Sequence, residues 1–220
     1  MAPNCPERYA SRSRPLTWTP LAKGFHWTMA LGLLGNGILG LSMVRHREDM
    51  LNGQFDAEVF GMPVFDAYQL HKSLGFVLLL VAVFRLVLSL LRQGPALPPK
   101  MPMWERRAAK TSHRALYMLM FLLPFSGWLM VSASPLGIPT LIFDVVELPP
   151  LVTPDADLEA LSRALHIAIA ATLAMLVVVH IAAALKHHFI DHDNVLRRMM
   201  PFAGRRSPVL TPDGSIGGEN

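Results

Sequence analysis

The chain has 220 residues and a mass of 24.3 kDa, with 20 Lys+Arg against 16 Asp+Glu, a formal charge of +4 and a pI near 9.6. Only 16% of residues are charged, 52% are hydrophobic and the mean hydropathy is +0.36, which excludes a disordered chain, a collagen-like chain and a disulfide scaffold. The basic excess does not mark a nucleic-acid binder, because the charges flank long apolar stretches; the composition is that of a membrane protein.

The first 20 residues read as a polar cytoplasmic arm, punctuated by Pro3, Pro6, Pro15 and Pro20; without an apolar h-region, no cleaved secretory leader is expected. Four stretches are then long and charge-poor enough to cross a bilayer, which takes about 20 mostly apolar residues. Helices are expected at 21–44, 68–91, 111–132 and 160–189, and Arg85 stands alone as a charge within the second apolar stretch. Pro135, Gly137 and Pro139 should stop the third helix near Ser132. Between the second and third helices, 97–102 reads as a stiff, extended connector. From Ala203 the chain is rich in Gly, Ser, Pro and Asp, so 203–220 reads as a disordered tail and 21–202 as a single membrane domain. The fold class is all-α: a four-transmembrane-helix bundle.

Lys and Arg in short loops set the orientation. They gather in the N-terminal arm (Arg8, Arg12, Arg14, Lys23), between the second and third helices (Arg92, Lys100, Arg106, Arg107, Lys110) and after the fourth (Lys186, Arg197, Arg198, Arg205, Arg206). The opposite side, its two loops with the adjoining helix ends, carries four basic residues (Arg45, Arg47, Lys72, Arg163) against ten acidic ones (Glu48, Asp49, Asp56, Glu58, Asp66, Asp144, Glu147, Asp155, Asp157, Glu159), a net of −6. Both termini are therefore expected in the cytoplasm, with the acidic loops in the periplasm of a bacterial inner membrane.

Ligand-capable residues inside a span are costly and point to function. His166 and His180 lie 14 residues apart on the fourth helix. At ~100° and ~1.5 Å per residue they share a face and stand ~21 Å apart along the axis. His26, near the start of the first helix, matches the depth of His180. His71, near the start of the second, matches His166. Two transverse pairs result, which is what bis-imidazole ligation of non-covalent haem needs; no Cys-x-x-Cys-His stretch offers covalent attachment, and Cys5 is the only cysteine. Arg85 follows His71 by 14 residues, at the depth of His26 and His180, and is a candidate for a haem propionate or for snorkelling to the headgroups. Gly32, Gly35, Gly37, Gly40 and Gly75 permit close approach of helices or of a flat macrocycle.

At KGFHW, QLHKSLG with FRL, SHRALYMLM running to PFSGW, and VHIAAALKHHFIDHDNVLRRMMP, the chain resembles the bacterial cytochrome b561 family, from about Pro15 to Pro201. The resemblance implies four inner-membrane helices and two b-type haems, some members being described as superoxide oxidases. It implies ligation by His26 with His180 and by His71 with His166. The long acidic loops, the arm and the tail depart from the family pattern.

His113 opens the third helix as an alternative ligand, a propionate donor, a quinone-site residue or an interfacial histidine. His187 lies one heptad beyond His180, ~20° round and ~10 Å nearer the cytoplasm, where a quinone headgroup meets both a haem edge and water. Lys72 is a candidate for drawing an anion or for snorkelling; Lys186, Arg197 and Arg198 read as headgroup anchors, and His188 and His192 as solvated. Trp18, Trp27, Trp104 and Trp128 read as interface residues, and the 13 Met as core filler.

The expected function is electron transfer between a periplasmic partner and membrane quinone, ubiquinone being the expected type. Three accounts compete. The chain is an enzyme passing electrons from superoxide to quinone, the anchor cytochrome of a periplasmic dehydrogenase or carrier with no activity of its own, or a membrane protein with structural histidines. The two depth-matched pairs speak against the third. The acidic side suits a basic protein partner better than a small anion.

Overall fold

Thr19 starts the first helix as its cap: its backbone is extended and its Oγ1 accepts the Ala22 N–H at 3.3 Å, while Pro20 fills the first turn, where a missing N–H costs nothing. The computed structural model describes residues 15–48, 52–54 and 57–201. Most of the expected arm (1–14) and all of the expected tail (203–220) lie outside the described residues.

The four long helices are α1 (Pro20–Val44), α2 (Val64–Leu91), α3 (Met103–Ala133) and α4 (Ala156–Phe189), each long and apolar enough to cross a membrane. At 25, 28, 31 and 34 residues they exceed the ~20 that a bilayer requires. The excess explains where the expected boundaries fell short. Counting apolar residues finds the part that lipid touches, whereas the helix continues into its polar flank. Thus α3 begins at Met103 rather than 111, with Glu105, Arg106, Arg107 and Lys110 in its first turns. Likewise α4 begins at Ala156, where Asp155 Oδ1 accepts the Leu158 N–H at 2.9 Å and Asp157 and Glu159 meet the positive end of the helix dipole.

Two short hairpins, absent from the expected architecture, join the helices. β1 (Glu58–Val59) pairs with β2 (Met62–Pro63) through a turn in which Phe60 and Gly61 both have positive φ, 53° and 77°. This primed geometry suits the strand twist but costs Phe60 roughly 1 kcal/mol. β3 (Thr140–Ile142) pairs with β4 (Val146–Leu148) in register Thr140↔Leu148 and Ile142↔Val146. Buried Gln69 and Ser73 of α2 lock this second hairpin to the bundle. Gln69 donates to the Pro139 carbonyl and accepts from Leu141 N–H, at 3.1 and 3.2 Å; Ser73 Oγ accepts from Phe143 N–H at 2.9 Å. Lys72 Nζ donates to the same Pro139 carbonyl at 2.8 Å, so its ammonium fastens the loop.

Two apolar layers form the interior. Met29, Leu78, Ala82, Leu116, Leu119, Met120 and Leu173 pack at mid-depth; Leu39, Met43, Val59, Val64 and Ala67 pack at the hairpin end. Leu, Val and Met also cover the outside, including Leu31, Leu34, Leu80, Leu90, Met175 and Val178, as expected when lipid is the solvent.

The end where α1 begins and α4 finishes departs from the expected connector. Residues 97–102 bend into a turn, Met101 N–H donating to the Pro98 carbonyl at 3.1 Å. Arg106 donates to the carbonyls of Met101, Pro98 and Pro99, absorbing acceptors that a proline-rich strand cannot satisfy itself. The segment after α4 folds back across this end: Trp27 Nε1 donates to Met199 O at 3.0 Å and Arg198 Nη1 to Ala96 O at 2.6 Å. Arg198 thus ties two segments together rather than reaching outward as a headgroup anchor.

Candidate functional site

The structure brings the four candidate ligands together in the two expected pairs. The rings of His26 on α1 and His180 on α4 have centroids 6.3 Å apart, tilted by 56°. Those of His71 on α2 and His166 on α4 are 6.4 Å apart at 79°. Leu173 lies midway between His166 and His180 on α4, and Leu78 midway between His71 and Arg85 on α2, so the mid-depth apolar layer separates the pairs.

At the hairpin end the second ring nitrogens are anchored. His71 Nδ1–H donates to the Asn36 carbonyl at 3.1 Å, and His166 Nδ1–H to the Leu123 carbonyl at 3.1 Å and Ser126 Oγ at 3.0 Å. This fixes the tautomer that leaves Nε2 with a free lone pair. At the other end His26 Nδ1 is buried without a hydrogen-bond partner. His113 packs edge-on to His180 with centroids 5.2 Å apart, and its own Nδ1–H donates to the Ala109 carbonyl at 2.6 Å.

Arg85 is half-buried, its Cζ 5.9 Å from the Tyr117 ring centroid, close enough to His26 and His180 to interact electrostatically with both. Among the described residues no carboxylate pairs with it. His187 sits apart from the ring pairs. Its Nδ1 is 2.8 Å from Asp193 Oδ2 and 3.1 Å from Asp191 Oδ2, and Lys186 Nζ joins Glu105 at 2.6 Å to Asp191 at 2.9 Å. Lys186 therefore ties α3 to the segment after α4 instead of anchoring headgroups. Glu105, His187 and Asp191 are close enough to share a metal ion, but the Lys186 ammonium already supplies the cation there. His188 is half-buried against Phe189, with ring centroids 4.8 Å apart, whereas His192 is exposed as expected. Trp128 is half-buried against Phe76, centroids 5.6 Å apart.

A family model described as prokaryotic cytochrome b561 matches residues 17–202. This chain belongs to the prokaryotic cytochrome b561 family. It is 33% identical over 198 residues to cytochrome b561 homolog 2 of Escherichia coli (strain K12), covering 90% of this chain and 93% of that protein. Cytochrome b561 homolog 1 of the same organism is 33% identical over 131 residues, 60% and 73% of the two chains. A probable superoxide oxidase CybB of Yersinia pestis is 28% identical over 132 residues, again 60% and 73%. Membership makes this a multi-pass bacterial membrane protein of electron transfer, in a family whose name implies b-type haem.

The residues of this chain fit that group. Two imidazoles on opposite faces of one metal ion, each bonded at ~2.0 Å, place their ring centroids ~6.4 Å apart, and both pairs meet that spacing. His113 at 5.2 Å from His180 is too close to sit across an ion from it, so spacing favours His26 as the partner. Glycine makes room at each hairpin-end ring: a Cβ on Gly40 would come within 2.9 Å of His71 Cε1, and one on Gly127 within 3.0 Å of His166 Cε1. Of the other glycines singled out in the sequence, Gly32 packs on Leu78 and Gly75 lies near Asn36, whereas Gly35 and Gly37 face open space. Gly127, Ser126, Asn36 and the Asp191–Asp193 pair are site features that sequence reasoning passed over. The first two lay in plain view inside PFSGW.

Proposed function

We propose that this chain is a di-haem b-type cytochrome passing electrons across the inner membrane between a periplasmic redox partner and the quinone pool. The observation that supports it most is the pair of histidine gaps, 6.3 and 6.4 Å wide, at two depths of one bundle. His26 and His180 would hold one haem, His71 and His166 the other. When bound, the haems supply reversible one-electron chemistry, which no side chain here offers. The protein fixes the imidazole tautomers at Asn36 and Leu123, keeps water out with the Met29–Leu78–Leu173 layer, and sets charge around each site through Arg85 and its neighbours.

The basic residues beside the termini support both termini being cytoplasmic, which puts His26, His113 and His180 at the cytoplasmic end. Quinone reduction consumes protons, and His187, with Asp193 behind its Nδ1, is a titratable group between that end and water. We place the ubiquinone site there, with His113 as its second candidate.

Two readings of the periplasmic partner remain. The resemblance to a probable superoxide oxidase supports superoxide as donor and the chain as a superoxide:ubiquinone oxidoreductase. The exposed carboxylates Glu58, Asp66, Asp144, Glu147, Asp155 and Asp157 favour a basic redox protein, with the chain as its membrane anchor. Stopped-flow mixing of the oxidised, purified protein with superoxide separates them. Haem reduction within the mixing experiment establishes the enzyme; no reduction, with both haems reducible by dithionite, establishes the anchor.

A further inference from the structure

Arg47, Arg163 and Tyr68 were given no role by the sequence, yet the fold gathers them at one place. Arg163 lies three residues before His166 on α4, and Tyr68 three before His71 on α2. At ~100° and ~1.5 Å per residue each therefore stands ~60° round and ~4.5 Å outward from its histidine. Both flank the same gap, one turn nearer the hairpin end. Arg47, just beyond α1, reaches across to α4: its Nη2 is 3.3 Å from Glu159 Oε1. Arg163 donates to the same carboxylate, Nη2 to Oε2 at 3.2 Å. Both guanidiniums act electrostatically on the Tyr68 phenol.

Two guanidiniums share one carboxylate, so the cluster keeps one positive charge in excess. Glu159 is only 12% exposed and the arginines about a third, 33% and 32%, which limits how far water can screen that charge. One donor is also left over. Arg163 Nε lies 3.1 Å from Glu159 Oε1 but off the hydrogen-bonding direction, and it is buried without an acceptor. That nitrogen already faces the Glu159 carboxylate, so an added anion would be met by the remaining parts of the two guanidiniums, whose side chains are about a third exposed. The other end of the bundle also sets an arginine beside its histidines, Arg85 over the Tyr117 ring, though with no carboxylate paired to it among the described residues.

We propose that Arg47 and Arg163, balanced by Glu159, form a carboxylate clamp that receives the propionates of the haem held by His71 and His166. The clamp rests on the di-haem reading above and adds to it the group that fixes the periplasmic haem's orientation and charge. A guanidinium beside the macrocycle disfavours the oxidised, more positive iron, so the clamp raises that haem's potential relative to an uncharged site. The competing account is an Arg–Glu–Arg triad that serves packing alone.

Redox titration of the intact, detergent-solubilised holoprotein tests this, alongside haem transfer to apomyoglobin. Arg163→Gln and Arg47→Gln should lower the midpoint of one haem only, the one that His166→Ala removes, and speed its loss to apomyoglobin about tenfold. Glu159→Gln, which frees both guanidiniums, should shift the same midpoint upward, and Arg163→Lys should restore part of it. Two haems in every variant with neither midpoint moved would overturn the clamp while leaving the di-haem reading intact. A shift confined to the haem that His26→Ala removes would overturn it too. A wild-type protein with no haem sensitive to His166→Ala removes the underlying reading, and the clamp with it.

Discussion

His166→Ala should leave a protein with one haem instead of two, the survivor being the haem held by His26 and His180. The expectation follows from the separation of the pairs. His166 faces His71 at 6.4 Å, while His180 lies four turns further along α4 and faces His26 at 6.3 Å. Removing one imidazole would leave the haem on its side with a single histidine to hold it, and the apolar layer around Leu173 separates the other site from the change. His71→Ala should give the same spectrum as His166→Ala. His26→Ala and His180→Ala should give the complementary one. Haem content by the pyridine haemochrome method and the low-temperature α-band read out both. If His113→Ala, and not His26→Ala, removes the second haem, the assignment on α1 is wrong and the 5.2 Å ring contact has been misjudged.

The second large effect belongs to His187. His187→Ala should keep both haems spectrally intact and slow their reoxidation by a water-soluble ubiquinone analogue about 10²-fold, the usual scale for loss of a positioned proton donor. Stopped-flow reoxidation of the dithionite-reduced protein measures it. No ring contact joins His187 to either pair among the described residues, and its Nδ1 is held by Asp193 at 2.8 Å, so its substitution should spare both haems. Unchanged reoxidation at full haem content would remove His187 from the quinone site and direct attention to the haem at the other end.

Much of this was legible in the residues because a membrane writes plainly. Every span had to be apolar, so each His or Arg within one stood out; helix periodicity set His166 and His180 on one face, and depth along oppositely running helices matched His26 with His180 and His71 with His166. The residues that finish the sites were harder to see. His71 leans on the carbonyl of Asn36, and a backbone acceptor has no side-chain signature. Gly127 matters because His166 of another helix lies against it, a relation that appears only when α3 and α4 are packed. The Arg47–Glu159–Arg163 cluster combines residues 112 apart in sequence, and each of them read singly as loop charge. The hairpins escaped notice for a related reason. Strands of two or three residues carry no periodicity, and β3 is fastened by Gln69 and Ser73 on α2 rather than by a pattern of its own.

Haem quantification per polypeptide tests the central claim most directly. The purified protein is measured by pyridine haemochrome against amino-acid analysis, before and after acid–acetone extraction. Two histidine gaps of matching width predict two haems per chain, both of b type and both extracted by acid–acetone. A single haem per chain, or haem that stays with the polypeptide after extraction, would contradict the account.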